Sequence, residues 1–165
     1  MGSFFRGGCD QKVDSKGRMS IPSDFRRVLE EGDPLFPSRS ARLVLLFGPH
    51  LKNCLQVYTI EAFSEIEEGI KAMPRGSKER RLASLMMLDP CCEIEIDRDG
   101  RIVLPKDRRE QIGLPEGGMT RLVAMGDFFE MWNKDVFDAN AGSAVEALLD
   151  EHGEGFDPLS LVFGG

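Results

Sequence analysis

The sequence predicts an α+β fold assembled from one β-rich unit used twice. The stretch VDSKGRMSIPSDFRR, Val13 to Arg27, recurs 83 residues later as IDRDGRIVLPKDRR, Ile96 to Arg109. The copies share six of fourteen positions: Asp14/Asp97, Gly17/Gly100, Arg18/Arg101, Pro22/Pro105, Asp24/Asp107 and Arg26/Arg109. Self-similarity at a fixed spacing marks a repeated structural unit. A second observation extends the first, because the same succession of hairpin, short helix, strand pair and helix follows each copy. Within each unit the apolar pattern also changes period, from alternation to helical spacing, which is the signature of strands giving way to helices.

In the first unit, CDQKV and RMSI alternate as half-buried strands around Asp14-Ser15-Lys16-Gly17. Asp at the first turn position and Gly at the fourth suit a type I turn with a bulge at the glycine. Pro22 ends the ladder and opens the helix SDFRRVLEE, which Gly32 and Pro34 close. LVLLFG (Leu43–Gly48) and CLQVYT (Cys54–Thr59) read as a strand pair. Thr59 is placed to cap IEAFSEIEEGIKAM, with Glu61 in the first turn and Ile60, Phe63, Ile66 and Ile70 on one stripe. RGSKERRLASLMMLDP connects the units, with a helix expected from Lys78 to Leu88.

The second unit repeats the plan. CCEIEID and RIVL flank Asp97-Arg98-Asp99-Gly100, and KDRREQIGL is the short helix. LVAMG (Leu122–Gly126) and FFEMWN (Phe128–Asn133) are the strand pair, and Asn133 is expected to cap KDVFDANAGSAVEALLDE. Tyr58 matches Trp132 and Phe63 matches Phe137, now 74 residues apart, so the drift falls in loops. The domains expected are repeat 1 at 4–60, a helical connector at 61–90, repeat 2 at 91–140, and an acidic C-terminal helix and tail at 141–165. The glycine-rich end, HGEGFDPLSLVFGG, is expected to lack regular structure, although Leu159, Leu161, Val162 and Phe163 are apolar enough to dock.

Composition narrows the function. No apolar run approaches the roughly 18 residues of a membrane span, and MGSFFRGG has no signal-like apolar core, so a soluble cytoplasmic chain is expected. Arg6 breaks the myristoylation pattern that Met-Gly begins. Cys9, Cys54, Cys91 and Cys92 lack metal-binding spacing and read as reduced thiols; no metal or cofactor is expected. The net charge of −7 argues against nucleic acid at first sight. Five of the acids (Glu146, Asp150, Glu151, Glu154, Asp157) lie beyond Asn140 with no Lys or Arg among them. The repeated motifs themselves are locally basic. Glu93, Glu95 and Asp97 share one strand face, but their alternation with Cys92, Ile94 and Ile96 is that of a strand with one wet side. No nucleophile–base grouping or phosphate loop supports an enzyme.

These residues resemble the MraZ family, two-repeat bacterial transcriptional regulators built from AbrB-like (swapped-hairpin) units. The resemblance rests on Phe5-Arg6-Gly7, on Asp14-x-x-x-Arg18 with Gly17 and Ile21-Pro22, and on Asp97-x-x-x-Arg101 with Gly100 and Leu104-Pro105. FEMW at Phe129–Trp132 completes it, and it covers residues 4 to about 140. It implies a β-barrel of two intertwined repeats with short flanking helices. It also implies ring-like homo-oligomers, associated with the nucleoid, that bind double-stranded DNA at promoter repeats of the cell-division and cell-wall gene cluster. An antitoxin-like module of the same fold, binding DNA and a protein partner, is the alternative. The Gly-Ser-Phe extension before Phe5 and the acidic tail depart from the repeat pattern.

Two copies make sense in such a barrel, because one copy alone leaves strand edges unpaired. Fusion sets both Asp-x-x-x-Arg turns in related places. Arg18 and Arg101 are the expected DNA contacts, with Lys12, Lys16, Arg98 and Arg6 around them, since an arginine fork grips phosphate or a guanine edge. Asp14 and Asp97 would orient them, and Gly17 and Gly100 shape the turns. A purely structural ion pair across each hairpin is the competing reading, worth about 0–1 kcal/mol when exposed. Arg26, Arg27, Arg108 and Arg109 read as solvated or paired with Glu30 and Glu110. Tyr58 and Trp132 read as packing residues. FFEMW and LASLMML are the segments expected at self-contacts.

Overall fold

Each Asp-x-x-x-Arg segment folds as a tight hairpin, and the two hairpins cross over to complete one another's sheets. The computed structural model describes residues 4–140 and 142–164; the Gly-Ser stretch before Phe4 lies outside them. In the first repeat, β1 (Cys9–Val13) and β2 (Arg18–Ser20) precede α1 (Ser23–Glu31), β3 (Arg42–Leu46), β4 (Cys54–Tyr58) and α2 (Ile60–Lys71). α3 (Lys78–Ala83) connects the repeats. The second repeat comprises β5 (Cys91–Glu95), β6 (Arg101–Val103), α4 (Lys106–Gln111), β7 (Gly118–Ala124) and β8 (Phe128–Asn133). α5 (Lys134–Asn140), α6 (Ser143–His152) and α7 (Leu159–Phe163) follow.

The eight strands form one antiparallel sheet in the order β5-β3-β4-β8-β7-β1-β2-β6. β1 of the first repeat pairs along its whole length with β7 of the second, and β5 pairs with β3 in return. The sheet curls until its ends meet at the second hairpin, where Asp97 N donates to Arg101 O at 2.9 Å. Asp14 N donates to Arg18 O, also at 2.9 Å, in the first. The result is a nearly closed barrel of two intertwined repeats, which leaves little free strand edge.

The register reveals a pseudo-two-fold axis. On one side it passes between the equivalent residues Met19 and Ile102, which face each other in the β2–β6 ribbon. On the other it passes between Gln56 and Glu130, equivalent residues facing each other across β4 and β8. The spacing of equivalent residues shrinks from 83 at Asp14/Asp97 to 77 at Val44/Arg121 and 74 at Tyr58/Trp132. The drift therefore accumulates before and after the third strand of each unit, in connections.

Inside the barrel, Phe5, Phe25 and Phe129 pack edge-on or tilted with ring centroids 4.8–5.3 Å apart. Leu43, Leu45, Leu55, Leu104, Leu122 and Met131 are fully buried around them. α1 contributes Phe25 and Leu29 to this core. A smaller cluster sits outside the sheet, where Phe63 of α2 covers Val44 and Tyr58. Thr59 caps α2 as expected, its Oγ1 accepting from Ala62 N at 3.0 Å.

Several expectations change. β7 begins at Gly118 rather than Leu122, because its partner β1 holds it as far as the Val13↔Gly118 pair. The connector helix widens to a π-helical turn over Ser84–Leu88, closed by Asp89 N donating to Ser84 O at 2.9 Å. FFEMW is not an exposed contact segment throughout, since Phe129 and Met131 are barrel core. In LASLMML, by contrast, Leu82, Leu85 and Met86 are exposed.

The first compact unit extends to Lys134 and the second begins at Asp135. In the second, the helical run expected from Lys134 is two helices. Asn140 turns its amide to Val136 O at 2.9 Å and its carbonyl accepts from Ser143 Oγ at 2.8 Å; Ala141 lies outside the described residues. The tail carries one helical turn where none was expected. Asp157 caps it, with Oδ1 accepting from Leu159 N at 3.0 Å, and Pro158 follows in the position that favours a helix start. Among the described residues no helix is long and apolar enough to cross a membrane.

Candidate nucleic-acid interface

The β2–β6 ribbon alternates strictly. Met19 and Ile102 point into the core, while Arg18, Ser20, Arg101 and Val103 are exposed on the other side. Arg18 stands opposite Val103 and Arg101 opposite Ser20, so the two arginines straddle the pseudo-two-fold axis on one outer face. Gln11, Lys12, Asp14, Arg18, Met19, Ser20 and Arg101 line a shallow depression of about 320 Å3 there. Arg18, Arg101, Lys12 and Asp14 are thus brought together at one depression. Lys16, Arg98, Asp97 and Arg6 are exposed but do not line the depression. Gln11 and Ser20 are additions to the expected set; the period-two alternation of RMS and RIV was the signal for Ser20.

The turn aspartates do more than aim a side chain. Asp14 Oδ1 accepts from Lys16 N and Arg18 N, both at 2.9 Å, and Oδ2 accepts from Arg18 Nε at 2.8 Å. These bonds, led by the backbone amide of Arg18, hold the Asp14 carboxyl down at about 2. Asp97 Oδ1 likewise accepts from Asp99 N and Arg101 N at 2.9 Å, and the Arg101 amide lowers its pKa in the same way. Gly17 and Gly100 close the turns at φ +89° and +79°, which a residue with a Cβ rarely adopts. Each carboxylate therefore shapes the backbone that presents its arginine.

The repeats differ in detail. Arg101 Nε stands 3.7 Å from Asp97, and the guanidinium also reaches Asp99 at 3.3 Å, so it is shared between two carboxylates. Arg18 has the single tight partner Asp14. The first turn carries Lys16 where the second carries Asp99, which leaves the first more basic.

The helix arginines correct the expectation of solvated faces. Arg109 is buried and donates to three backbone carbonyls, and Arg108 lies over the Phe47 ring, 3.8 Å from its centroid. Neither pairs with Glu110. Arg26 does face Glu30, at 3.9 Å, and Arg27 pairs with Asp24 at 2.8 Å. Glu93 and Glu95, the wet-faced strand acids, pair with Arg42 and Arg39. Tyr58 packs on Phe63 and Phe128, and burial pushes its hydroxyl up to about 12. The cysteines are free thiols, and burial raises Cys54 to about 12.

Residues 4–85 match the family described as "MraZ protein, putative antitoxin-like". The chain is 42% identical over 165 residues to the transcriptional regulator MraZ of Ruegeria pomeroyi, covering 99% of this chain and 98% of that one. It is 38% identical over 167 residues to that of Cereibacter sphaeroides, covering 98% and 97%. It is 30% identical over 159 residues to that of Hydrogenovibrio crunogenus, covering 96% and 99%. Fold and relatives define the class as a two-repeat transcription regulator rather than an enzyme. The duplicated barrel runs through its whole first unit, with both arginine turns in place. The chain belongs to the MraZ family.

Proposed function

We propose that this protein binds double-stranded DNA sequence-specifically, as a ring-like homo-oligomer at the nucleoid, on promoter repeats of the cell-division and cell-wall gene cluster. The observation that carries the reading is the pair Arg18 and Arg101, exposed side by side on the β2–β6 ribbon and mounted on carboxylate-fixed turns. A two-stranded ribbon has the width of a major groove, where arginine recognises guanine and a short hydroxyl or a methyl-bearing side chain meets the other edges. Ser20 and Val103 supply the latter two. The antitoxin-like alternative would use a single barrel half with a partner-binding tail, whereas both halves here occupy one chain.

Anisotropy of a labelled duplex taken from upstream of this chain's own gene tests the reading across a salt series. The logarithm of affinity should fall linearly with that of salt, with a slope of about −0.9 per neutralised phosphate. A scrambled duplex should bind at least roughly 10³-fold more weakly. Equal affinity for both duplexes would sink sequence specificity. Light scattering tests assembly: at micromolar concentration the mass should be several times 18.4 kDa. The exposed apolar side of Leu82, Leu85 and Met86 supports such a contact. Several sites on one ring would then engage repeated DNA through effective concentration. A clean monomer refutes the ring.

A further inference from the structure

The two arginine turns are braced unequally, and the brace of each comes from the other repeat. Arg109 belongs to α4 in the second repeat, yet its guanidinium reaches the first repeat's turn. Nη1 donates to Ser15 O at 3.1 Å and to Pro115 O at 2.7 Å, and Nε donates to Leu104 O at 3.1 Å. The side chain is only 6% exposed. A buried guanidinium is costly unless its N–H groups find acceptors, and here three of the five donate to carbonyls, one of them in the turn itself. Leu104 N also donates to Gly17 O at 2.7 Å. Nothing larger than glycine fits beneath this clamp. A Cβ at Gly17 would collide with Leu104 O and stand 3.1 Å from Arg109 Nε.

The equivalent residue, Arg26, packs over Gly100 in the same way, and Ile21 N donates to Gly100 O at 2.8 Å. Its charge, however, goes to Glu30 at 3.9 Å. Among the described residues Arg26 donates no hydrogen bond to a carbonyl of the second turn. The backbone bonds inside the two turns are alike, since each aspartate Oδ1 accepts two turn amides at 2.9 Å, whereas Arg18 Nε also donates to Asp14 at 2.8 Å and Arg101 Nε stands 3.7 Å from Asp97.

We infer that Arg109 is a positioning residue: from the second repeat it locks the first repeat's turn, so that Arg18 meets DNA in one fixed orientation, while Arg101 sits on a turn free to adjust. The inference rests on the DNA-binding reading above. A locked arginine suits a contact made at full strength on encounter, because no ordering cost is left to meet. The adjustable one suits a contact that adapts to its partner.

Binding to the upstream duplex, measured for Arg109→Lys alone and combined with Arg18→Ala or Arg101→Ala, tests this. Lysine keeps the charge but cannot span three carbonyls. The single change should weaken binding roughly tenfold, as expected for losing hydrogen bonds to a charged group. It should add nothing to Arg18→Ala but multiply the loss caused by Arg101→Ala, because residues that act through one another are non-additive. Hydrogen exchange on the unaltered protein gives a second readout that needs no variant. The amides of Lys16 and Arg18 should exchange roughly tenfold more slowly than those of Asp99 and Arg101, given the additional clamp. Equal exchange in the two turns, or losses that multiply with Arg18→Ala, overturns the inference while leaving DNA binding intact. Unchanged binding in Arg18→Ala alone overturns the DNA reading, and the inference with it.

Discussion

Operator binding by an Arg18→Ala, Arg101→Ala double variant should collapse while the barrel stays folded. Both side chains are about half exposed, and neither contributes to the core. If each arginine meets a guanine edge, the loss should be on the order of 1–3 kcal/mol per contact, with preference relaxed at one base position. If each meets a phosphate, affinity should fall for every sequence and the salt slope should shrink by about one per contact. Asp14→Ala separates orientation from contact. It removes the carboxylate that accepts from both the turn amides and Arg18, so binding should weaken, but less than in Arg18→Ala. Affinity within twofold of the unaltered protein, in a folded and oligomeric double variant, would end this reading of the site.

The largest loss of stability should come from Asp33→Ala, outside both turns. Asp33 is 2% exposed, and its carboxylate accepts from Leu35 N, from Arg42 N, and from Arg42 Nε and Nη2, at 2.8–3.0 Å. This knot ties the segment between α1 and β3 to the barrel. Removing the acid strands a guanidinium that is itself nearly buried, which costs about 3–5 kcal/mol in such pairs; here Glu93 still offsets part of that at 3.1 Å. Calorimetry should show a melting temperature lower by roughly 10 °C. The pH dependence has a fixed sign. The bonds from Arg42 hold the Asp33 carboxyl below its ordinary range, against the opposing effect of burial. Its contribution is therefore complete above the unfolded value of about 3.9 and disappears as pH falls through the lowered one. The difference between the variant and the unaltered protein should narrow in acid. A melting temperature within 2 °C of the original at neutral pH, an effect below roughly 1 kcal/mol, would show that the knot is not stabilising.

The duplication was legible because its signal is local and chemical. Asp, Gly and Pro recur at the same offsets around an arginine, and each of the three has one backbone job: capping the turn amides, taking the positive φ, or ending the strand. The start of α2 was equally plain, because the Thr59 side chain bonds its own neighbour. The features that escaped depend on distant partners. Nothing near Gly118 announces a strand; it becomes one because Val13 lies opposite. Arg109 reads as a surface residue of a basic helix until the carbonyl of Ser15, 94 positions earlier, closes over it. FFEMW looks like a sticky patch in one dimension, but alternate residues of it line the barrel interior. The break after Asn140 and the turn at Asp157 were different. Their capping chemistry was present in the sequence, and at Asp157 it was outweighed by the glycines around it.

The residues on the pseudo-two-fold axis have a consequence for what a fused chain can do that a pair of separate chains cannot. In a symmetric dimer of identical single repeats, whatever stands on the axis must face its own copy. Two glutamates would repel directly across neighbouring strands, and two glutamines would leave no charge. Here Gln56 faces Glu130, and each accepts from an aromatic donor of its own strand, Tyr58 and Trp132, at 2.9 Å. At the opposite pole Met19 faces Ile102, and Ser20 answers Val103. The molecule consequently has a head and a tail. A self-facing dimer matches inverted half-sites, which look the same from either end. On the proposed DNA-binding reading, a barrel with two unlike halves would instead take a direction along a duplex, and copies lined up the same way would fit sequences repeated in tandem.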